Sequence, residues 1–326
     1  MNAPRAVLYS VRENPGRWLL AAGCLALAAT FLYPYVTLER PQYRLLFVLD
    51  VSQSMNATDR MLQEKPVSRI AFAREILRET LRELPCGAQA GLGLFTEYRT
   101  FLLLEPVEVC TNYSDLAATL DRLDYRMAWA GGSEISKGIF FGLRIARSLQ
   151  PPAALVFVTD GHEAPPLHPK IRPEYEGKPG EVQGLLVGVG GDTLVPIPKF
   201  GADGQSLGYW TADEVMQTDV YTRGRGGSVA GESMVEQDPG NGDRQAVASE
   251  HLTSLKEPHL RRLASELGLG YHRLESAPAL VAALDKTTGV AQGARSRVDL
   301  RWILATATLI AIVLMFVVRP ARQRHA

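Results

Sequence analysis

The chain has 326 residues, 35 basic and 35 acidic side chains, and a hydrophobic content of 46%. A net charge of zero with no long basic or acidic tail argues against a nucleic-acid binder, so partners have to be read from local features.

The first element, Trp18 to Tyr35, is free of charge over about 18 residues, close to the lower limit for a helix crossing a hydrocarbon core. Arg5, Arg12 and Arg17 precede it, a leader that also suits a cleaved signal peptide. The small residues from Ala26 to Ala29 lie inside the apolar run rather than after it, and Phe31, Tyr33 and Tyr35 read as an interfacial aromatic belt. Both features favour an uncleaved anchor.

Next comes "RLLFVLDVSQSM", a strand that runs apolar after Arg44 and then sets Asp50, Ser52 and Ser54 at alternate positions. In "SRIAFAREILRETLREL" the apolar residues Ile70, Ala73, Ile76, Leu77, Leu81 and Leu84 recur at helical spacing, which predicts an amphipathic helix lying on a sheet. A hairpin follows, with strands at 91–95 and 100–104 about a polar turn at 97–99. A helix is expected over 114–123, a loop at Gly131 and Gly132, and a helix over 134–149 that Pro151 and Pro152 stop.

"ALVFVT" (154–159) and "GLLVGVG" (184–190) are short apolar strands. Continuous apolar runs between helices predict a doubly wound α/β domain, its mostly parallel sheet covered on both faces and carrying one antiparallel hairpin strand. The pattern loosens over 192–258, with a hairpin turning at 202–205 and a glycine-rich polar stretch that reads as a mobile loop. A last short helix stopped by Gly268, a strand near 271–274 and a second expected membrane span over 302–318, which with the first brackets the domain, complete the order.

Arg319, Arg322 and Arg324 follow that stretch. Arg295, Arg297 and Arg301 precede it and weaken the contrast, yet both short tails are basic and free of aspartate. The positive-inside rule then places tails 1–17 and 319–326 in the cytoplasm and a domain over 43–290 outside it. Within that domain Cys86 and Cys110 lie on either side of the expected hairpin, which would return them to one another. A disulfide in an oxidising compartment is one reading and two separate buried thiols the other.

Sites in open α/β sheets form at the carboxyl ends of parallel strands. Asp50, Ser52 and Ser54 fall past one such end, Asp160 past another, and Ser133 sits on the loop between, just before a helix. An extended backbone points every second side chain the same way, so Asp50, Ser52 and Ser54 can act together. Two carboxylates and three hydroxyls make an all-oxygen donor set suited to a hard divalent cation, Mg²⁺ first, then Mn²⁺ or Ca²⁺. The simpler alternative is that Asp50, Ser52 and Ser54 only cap a helix. His162, beside Asp160, can be imagined as a base in metal-assisted hydrolysis, but reads more simply as a solvent-exposed loop residue. No sequence pattern for a zinc protease, a serine hydrolase or a phosphate-binding loop is found, and the expectation is a protein that is not an enzyme.

These residues, with "DVSQS", "GGSEISKGI" and "VTDG" in this order, resemble a von Willebrand factor type A domain with a metal-ion-dependent adhesion site. The resemblance implies that Ser52, Ser54 and Ser133 are hydroxyl ligands and that Asp50 and Asp160 act directly or through water. Ser133 stands where the family usually has threonine. It also implies a metal-gated binding module, whose partner protein donates an aspartate or glutamate to the ion. Trp129, His162 and Glu163 are candidate partner contacts, with Trp129 equally open to a role in covering the core. "VSRIAFARE", "VPIPKFGADGQSLGYW" and "LRRLASELGLGYHRL" resemble bacterial membrane-anchored proteins of the aerotolerance (Bat) type, which implies a general envelope function beside a MoxR-type AAA+ ATPase. "LPCG", "PVEVCTNYSDL", "RMAWAGGSEISKG" and "TDGHEAPP" resemble the MxaL type of methanol-oxidation clusters. That narrower likeness implies an accessory factor in maturation of periplasmic methanol dehydrogenase, including its metal insertion.

Overall fold

The computed structural model describes residues 15–32, 35–39, 43–128, 131–167, 172–201, 203–215, 250–287 and 295–322. The polar stretch expected as a mobile loop falls largely outside them, as does Trp129. The chain forms two compact units, Met1–Pro41 with Gln292–Ala326, and Gln42–Ala291.

In the first unit, helix α1 (Pro15–Leu32) is followed by strand β1 (Tyr35–Glu39). The expected span over 18–35 therefore ends early. Tyr35, read as a belt residue, starts a strand paired antiparallel with Arg295–Asp299, Tyr35 opposite Asp299. From Trp18 to Leu32 the helix rises only about 22 Å at 1.5 Å per residue, short of a hydrocarbon core of about 30 Å. The other stretch is helical over Arg301–Arg322, and the Thr308 hydroxyl donates to the Gly23 carbonyl across the pair at 3.4 Å. Among the described residues no helix is long and apolar enough to cross a membrane.

The second unit opens with β2 (Arg44–Asp50), a 3₁₀ turn (Gln53–Asn56), and a small hairpin of β3 (Arg60–Leu62) and β4 (Lys65–Val67). Helix α2 (Arg69–Glu83) follows, started by Ser68, whose side chain accepts from the Ala71 amide. Strands β5 (Gln89–Thr96) and β6 (Arg99–Glu108) make the expected antiparallel hairpin. Cys86 and Cys110 form a disulfide at its base, so the reading with separate thiols falls. Helix α3 (Val109–Arg122) begins five residues before the expected 114, because the Glu108 carboxylate accepts from the Cys110 and Thr111 amides and caps it there.

Helix α4 (Ile135–Ser148), β7 (Ala154–Thr159) and β8 (Gly184–Gly188) match the expected order. Then come β9 (Val195–Pro196), the hairpin β10 (Pro198–Phe200) and β11 (Ser206–Tyr209), and a single helical turn, α5 (Ala212–Val215). Strand β12 (Leu252–Thr253) pairs with β9 and leads to α6 (Glu257–Leu267), which Gly268 ends in a left-handed conformation at φ 69°. Strand β13 (Gly270–Arg273) and a helix absent from the sequence reading, α7 (Ala277–Thr287), complete the unit.

The main sheet has the order β13-β8-β7-β2-β5-β6, parallel except for β6. Alternate residues of β2 serve opposite cores. Leu45, Phe47 and Leu49 pack with Ile70, Leu77, Leu116 and Leu280, whereas Leu46 and Val48 pack with Ile139, Leu143 and Leu260. Helices α2, α3 and α7 thus cover one face and α4 and α6 the other. The chain leaves β2 for β5 on one side and later returns to β7 on its other side, so the strand order reverses between β2 and β7. That reversal opens a crevice at the carboxyl ends of these two strands.

Candidate metal centre

Asp50 is the last residue of β2 and Asp160 the first after β7, so the crevice holds both carboxylates, each fully buried. Asp50 Oδ1 accepts from the Ser52 amide at 2.8 Å and Oδ2 from the Thr159 hydroxyl at 2.6 Å. Ser52 and Ser54 place their hydroxyl oxygens 3.3 Å apart at the start of the 3₁₀ turn. The turn is not a helix cap: Ser52 makes no side-chain capping bond. Burial, and then the Asp160 charge, push the Asp50 carboxyl up to about 7.

Ser133 reaches this edge from a separate loop. Its backbone exchanges hydrogen bonds with Ala164, amide to carbonyl at 2.6 Å and the reverse at 2.8 Å. Its side chain, 3% exposed, has a hydroxyl with no hydrogen-bond partner in the protein. Leaving such a hydroxyl unbonded costs about 1–3 kcal/mol, which makes it a candidate donor to a ligand. Two buried carboxylates, two adjacent hydroxyls and one orphaned hydroxyl fit a hard cation, with Asp50, Ser52, Ser54 and Ser133 as candidate holders.

Asp160 has other obligations. Its Oδ1 accepts from the His162 amide at 2.9 Å, while Oδ2 accepts from Arg69 Nη1 at 2.5 Å and the Thr253 hydroxyl at 3.2 Å. Arg69 is itself fully buried and grips Asp59 with two bonds, Nε to Oδ1 at 2.9 Å and Nη2 to Oδ2 at 2.6 Å. Burial works against the Asp59 charge, but the Arg69 bonds and charge outweigh it and hold that carboxyl below its ordinary value. An Asp160 so committed would act on an ion through water rather than by direct ligation.

Several neighbours depart from expectation. His162 is 6% exposed, not a solvent-exposed loop residue, and neither ring nitrogen has a partner in the protein. Burial pushes its imidazole below the ordinary histidine value. Gly161, at φ +74°, supplies the turn that carries it; a Cβ there would also press on Leu260 Cγ at 2.9 Å. Glu163, a candidate partner contact, is the remote cap of α4. It accepts from the Ile135 and Ser136 amides at 2.8 and 2.9 Å and from the Ser136 hydroxyl at 2.6 Å, and pairs with His259 at 3.1 Å. Sequence reasoning missed Thr159, Arg69, Asp59 and Thr253; only the Thr-Asp-Gly adjacency offered a signal, and for Thr159 alone.

The parallel sheet carries acidic and hydroxyl side chains on three loops near its strand-order reversal, and residues 45–162 match the family model of the von Willebrand factor type A domain. A UPF0353 protein of Mycobacterium sp. (strain KMS) is 31% identical over 181 residues, half of each chain. A UPF0353 protein of Mycobacterium avium is 29% identical over 175 residues, 48% of each. The chain thus spans about half the length of the curated relatives it matches. Among solved structures, an aerotolerance-related membrane protein from Bacteroides fragilis aligns at 18% identity and a TM-score of 0.46, over 75% of this chain and 97% of that one. BatB from Bacteroides thetaiotaomicron aligns at 19% and 0.46, over 75% and 98%.

Proposed function

We propose that the von Willebrand A domain is a cation-gated protein-binding module held at a bacterial inner membrane, and that it assembles partners rather than turning over a substrate. The observation that carries this reading is the orphaned, buried Ser133 hydroxyl, on a residue that lines one cavity with Ser54, whose own hydroxyl lies 3.3 Å from that of Ser52. Mg²⁺ is the first candidate for the ion, with Mn²⁺ and Ca²⁺ behind it. The ion would relieve the like-charge pair and offer an open position to an aspartate or glutamate of a partner protein. Asp50, Ser52, Ser54 and Ser133 would hold it, with Asp160 behind a water.

Two features support an anchored, extracytoplasmic placement. The Cys86–Cys110 disulfide suits an oxidising compartment. The helix pair of the other unit leaves Leu25, Phe31, Trp302 and Leu309 more than half exposed, which is apolar surface that lipid would cover. With both tails basic, the termini fall on the cytoplasmic side. The broader role is that of an aerotolerance-type envelope protein working with a MoxR-type ATPase. The narrower one, metal insertion into methanol dehydrogenase, is supported by sequence phrases alone.

Calorimetry of the purified full chain with Mg²⁺ or Mn²⁺ tests the site: Asp50→Ala should abolish binding, and equal affinities for variant and wild type would remove the proposal. Deleting the gene and assaying periplasmic methanol dehydrogenase separates the two roles. Loss of active, metal-loaded enzyme selects the narrower one, and unchanged activity the broader.

A further inference from the structure

Beside the cation crevice lies a cavity of about 330 Å³, lined on one side by Ser54, Ser133 and His162 and on the other by Ile197, Trp210 and Val215 from the segment inserted after β8. A lone metal ion needs a small fraction of that space. Several polar groups on its wall are unpartnered. The Trp210 indole N–H, which can only donate, has no partner in the protein, nor does either nitrogen of His162 or the Ser133 hydroxyl. An imidazole offers at least one N–H in either of its charge states.

These donors are held in place. The His162 amide is tied to Asp160, Glu163 is locked on the start of α4, and Ala164 is paired with Ser133, so the loop is fixed before and after the imidazole. Trp210 is placed by its amide, which donates to the Ile197 carbonyl at 3.0 Å, and by Lys199, whose ammonium lies 4.5 Å from its ring centre. Donors fixed before a ligand arrives lose little entropy on binding it. Ile197, Trp210 and Val215 add an apolar wall, and Gln53, Glu214 and Glu250 a polar one.

We propose that His162 is the second anchor of the carboxylate that completes the cation's shell. One oxygen of the ligand meets the ion at Ser54 and Ser133, the other accepts from the His162 ring. The ligand also carries an apolar group that packs on Ile197, Trp210 and Val215. The preferred partner segment therefore presents an acidic side chain beside an apolar one. Glu250 also lines the cavity, as does Glu214, which Lys199 pairs at 2.5 Å. This inference rests on the cation reading above.

The test uses the purified full chain with Mn²⁺ as paramagnetic probe and 3-phenylpropionate, acetate and 3-phenylpropionamide as ligands. Free Mn²⁺ is counted by electron paramagnetic resonance and ligand binding by proton line broadening. Wild type should bind 3-phenylpropionate more tightly than acetate, and the amide not at all. His162→Phe and His162→Ala should weaken the carboxylate about tenfold, the scale of one charge-assisted hydrogen bond, and His162→Gln, which keeps a donor, should recover part of it. Undiminished carboxylate binding in both the Phe and Ala variants overturns the role of His162 while leaving the cation site standing. A loss of Mn²⁺ affinity as large as the loss of carboxylate affinity overturns it too, since His162 would then serve the ion or the fold. Absence of Mn²⁺ binding by wild type removes the cation reading itself, and this inference with it.

Discussion

Two buried polar clusters meet at Asp160 and are built on opposite plans. On one side Arg69 bonds to Asp59, Asp160 and Thr253, and Asp59 also accepts from the Gly191 amide at 2.8 Å. On the other, Asp50 faces the charge of Asp160, and the Ser133 hydroxyl and His162 ring lack partners. The first cluster is complete within the chain and ties α2, β7, β12 and the Asp59 loop together. The second is short of positive charge and of hydrogen bonds. A buried network with every member satisfied rigidifies a fold, whereas one left short is costly unless a ligand completes it. The contrast separates the part of the crevice that holds the domain together from the part whose polar groups the fold leaves unpartnered.

The largest expected effect comes from breaking the complete cluster. Arg69→Met leaves Asp59 and Asp160 buried without their cation and should cost about 3–5 kcal/mol, read as a lowered urea midpoint of the full chain. A loss below about 1 kcal/mol would show that water reaches both carboxylates and that the cluster is not structural.

The incomplete cluster should respond in the opposite sense. In chelator at pH 8, Asp50→Asn removes a buried charge that faces another of the same sign, while its amide can keep the bonds to Ser52 and Thr159. The variant should then be as stable as wild type or up to about 2 kcal/mol more stable. Saturating Mg²⁺ should reverse the order by stabilising wild type alone. Equal responses of the two proteins to Mg²⁺ would place the ion elsewhere.

These clusters were unequally legible in the sequence. Asp50, Ser52 and Ser54 stand out because an extended segment aligns alternate side chains, and Asp160 because it closes an apolar strand. Arg69 did not, since an arginine at the start of an amphipathic helix reads as part of the solvated face. Its partners lie 10, 91 and 184 residues away, beyond any local pattern. His162 was misjudged for the same reason: its loop is held down by an Asp160 bond and by Glu163 capping a helix 27 and 28 residues earlier. The parallel sheet, by contrast, was readable from apolar runs that only a twice-covered strand tolerates. Helix α7 escapes the sequence pattern because "APALVAALDKT" is short and its one start signal is Pro278 at the second helical position.

A smaller effect tests a polar group outside both clusters. Glu108 caps α3, and its Oε1 also accepts from the Gly87 amide at 2.8 Å beside the disulfide. Slight burial opposes its charge, but bonds from Thr111, Gly87 and Cys110 prevail and hold the carboxyl down at about 2. A depressed carboxyl contributes stability above its unfolded value, and that contribution is lost as pH falls through the folded one, here between about 4.5 and about 2. Glu108→Gln should therefore cost about 1 kcal/mol at pH 7 and converge on wild type near pH 2, followed by the thermal midpoint across that window. An equal deficit at both ends would mean that shape, not charge, makes the cap.

The smallest effect on stability belongs to the residue on which the cation reading depends most. Ser133→Ala deletes a hydroxyl that bonds to nothing in the chain, so the variant should unfold within about 0.5 kcal/mol of wild type in chelator, or slightly later because an unsatisfied group is gone. Were Ser133 a structural hydroxyl, the same change would cost the 1 kcal/mol or so of a lost hydrogen bond. The backbone pairing with Ala164 survives in either case, so the loop keeps its place and the two explanations part cleanly. In Mg²⁺ the variant should bind about tenfold more weakly, as one fewer oxygen faces the ion. A site built for a ligand shows itself by that combination: a side chain the fold does not need and the ion does.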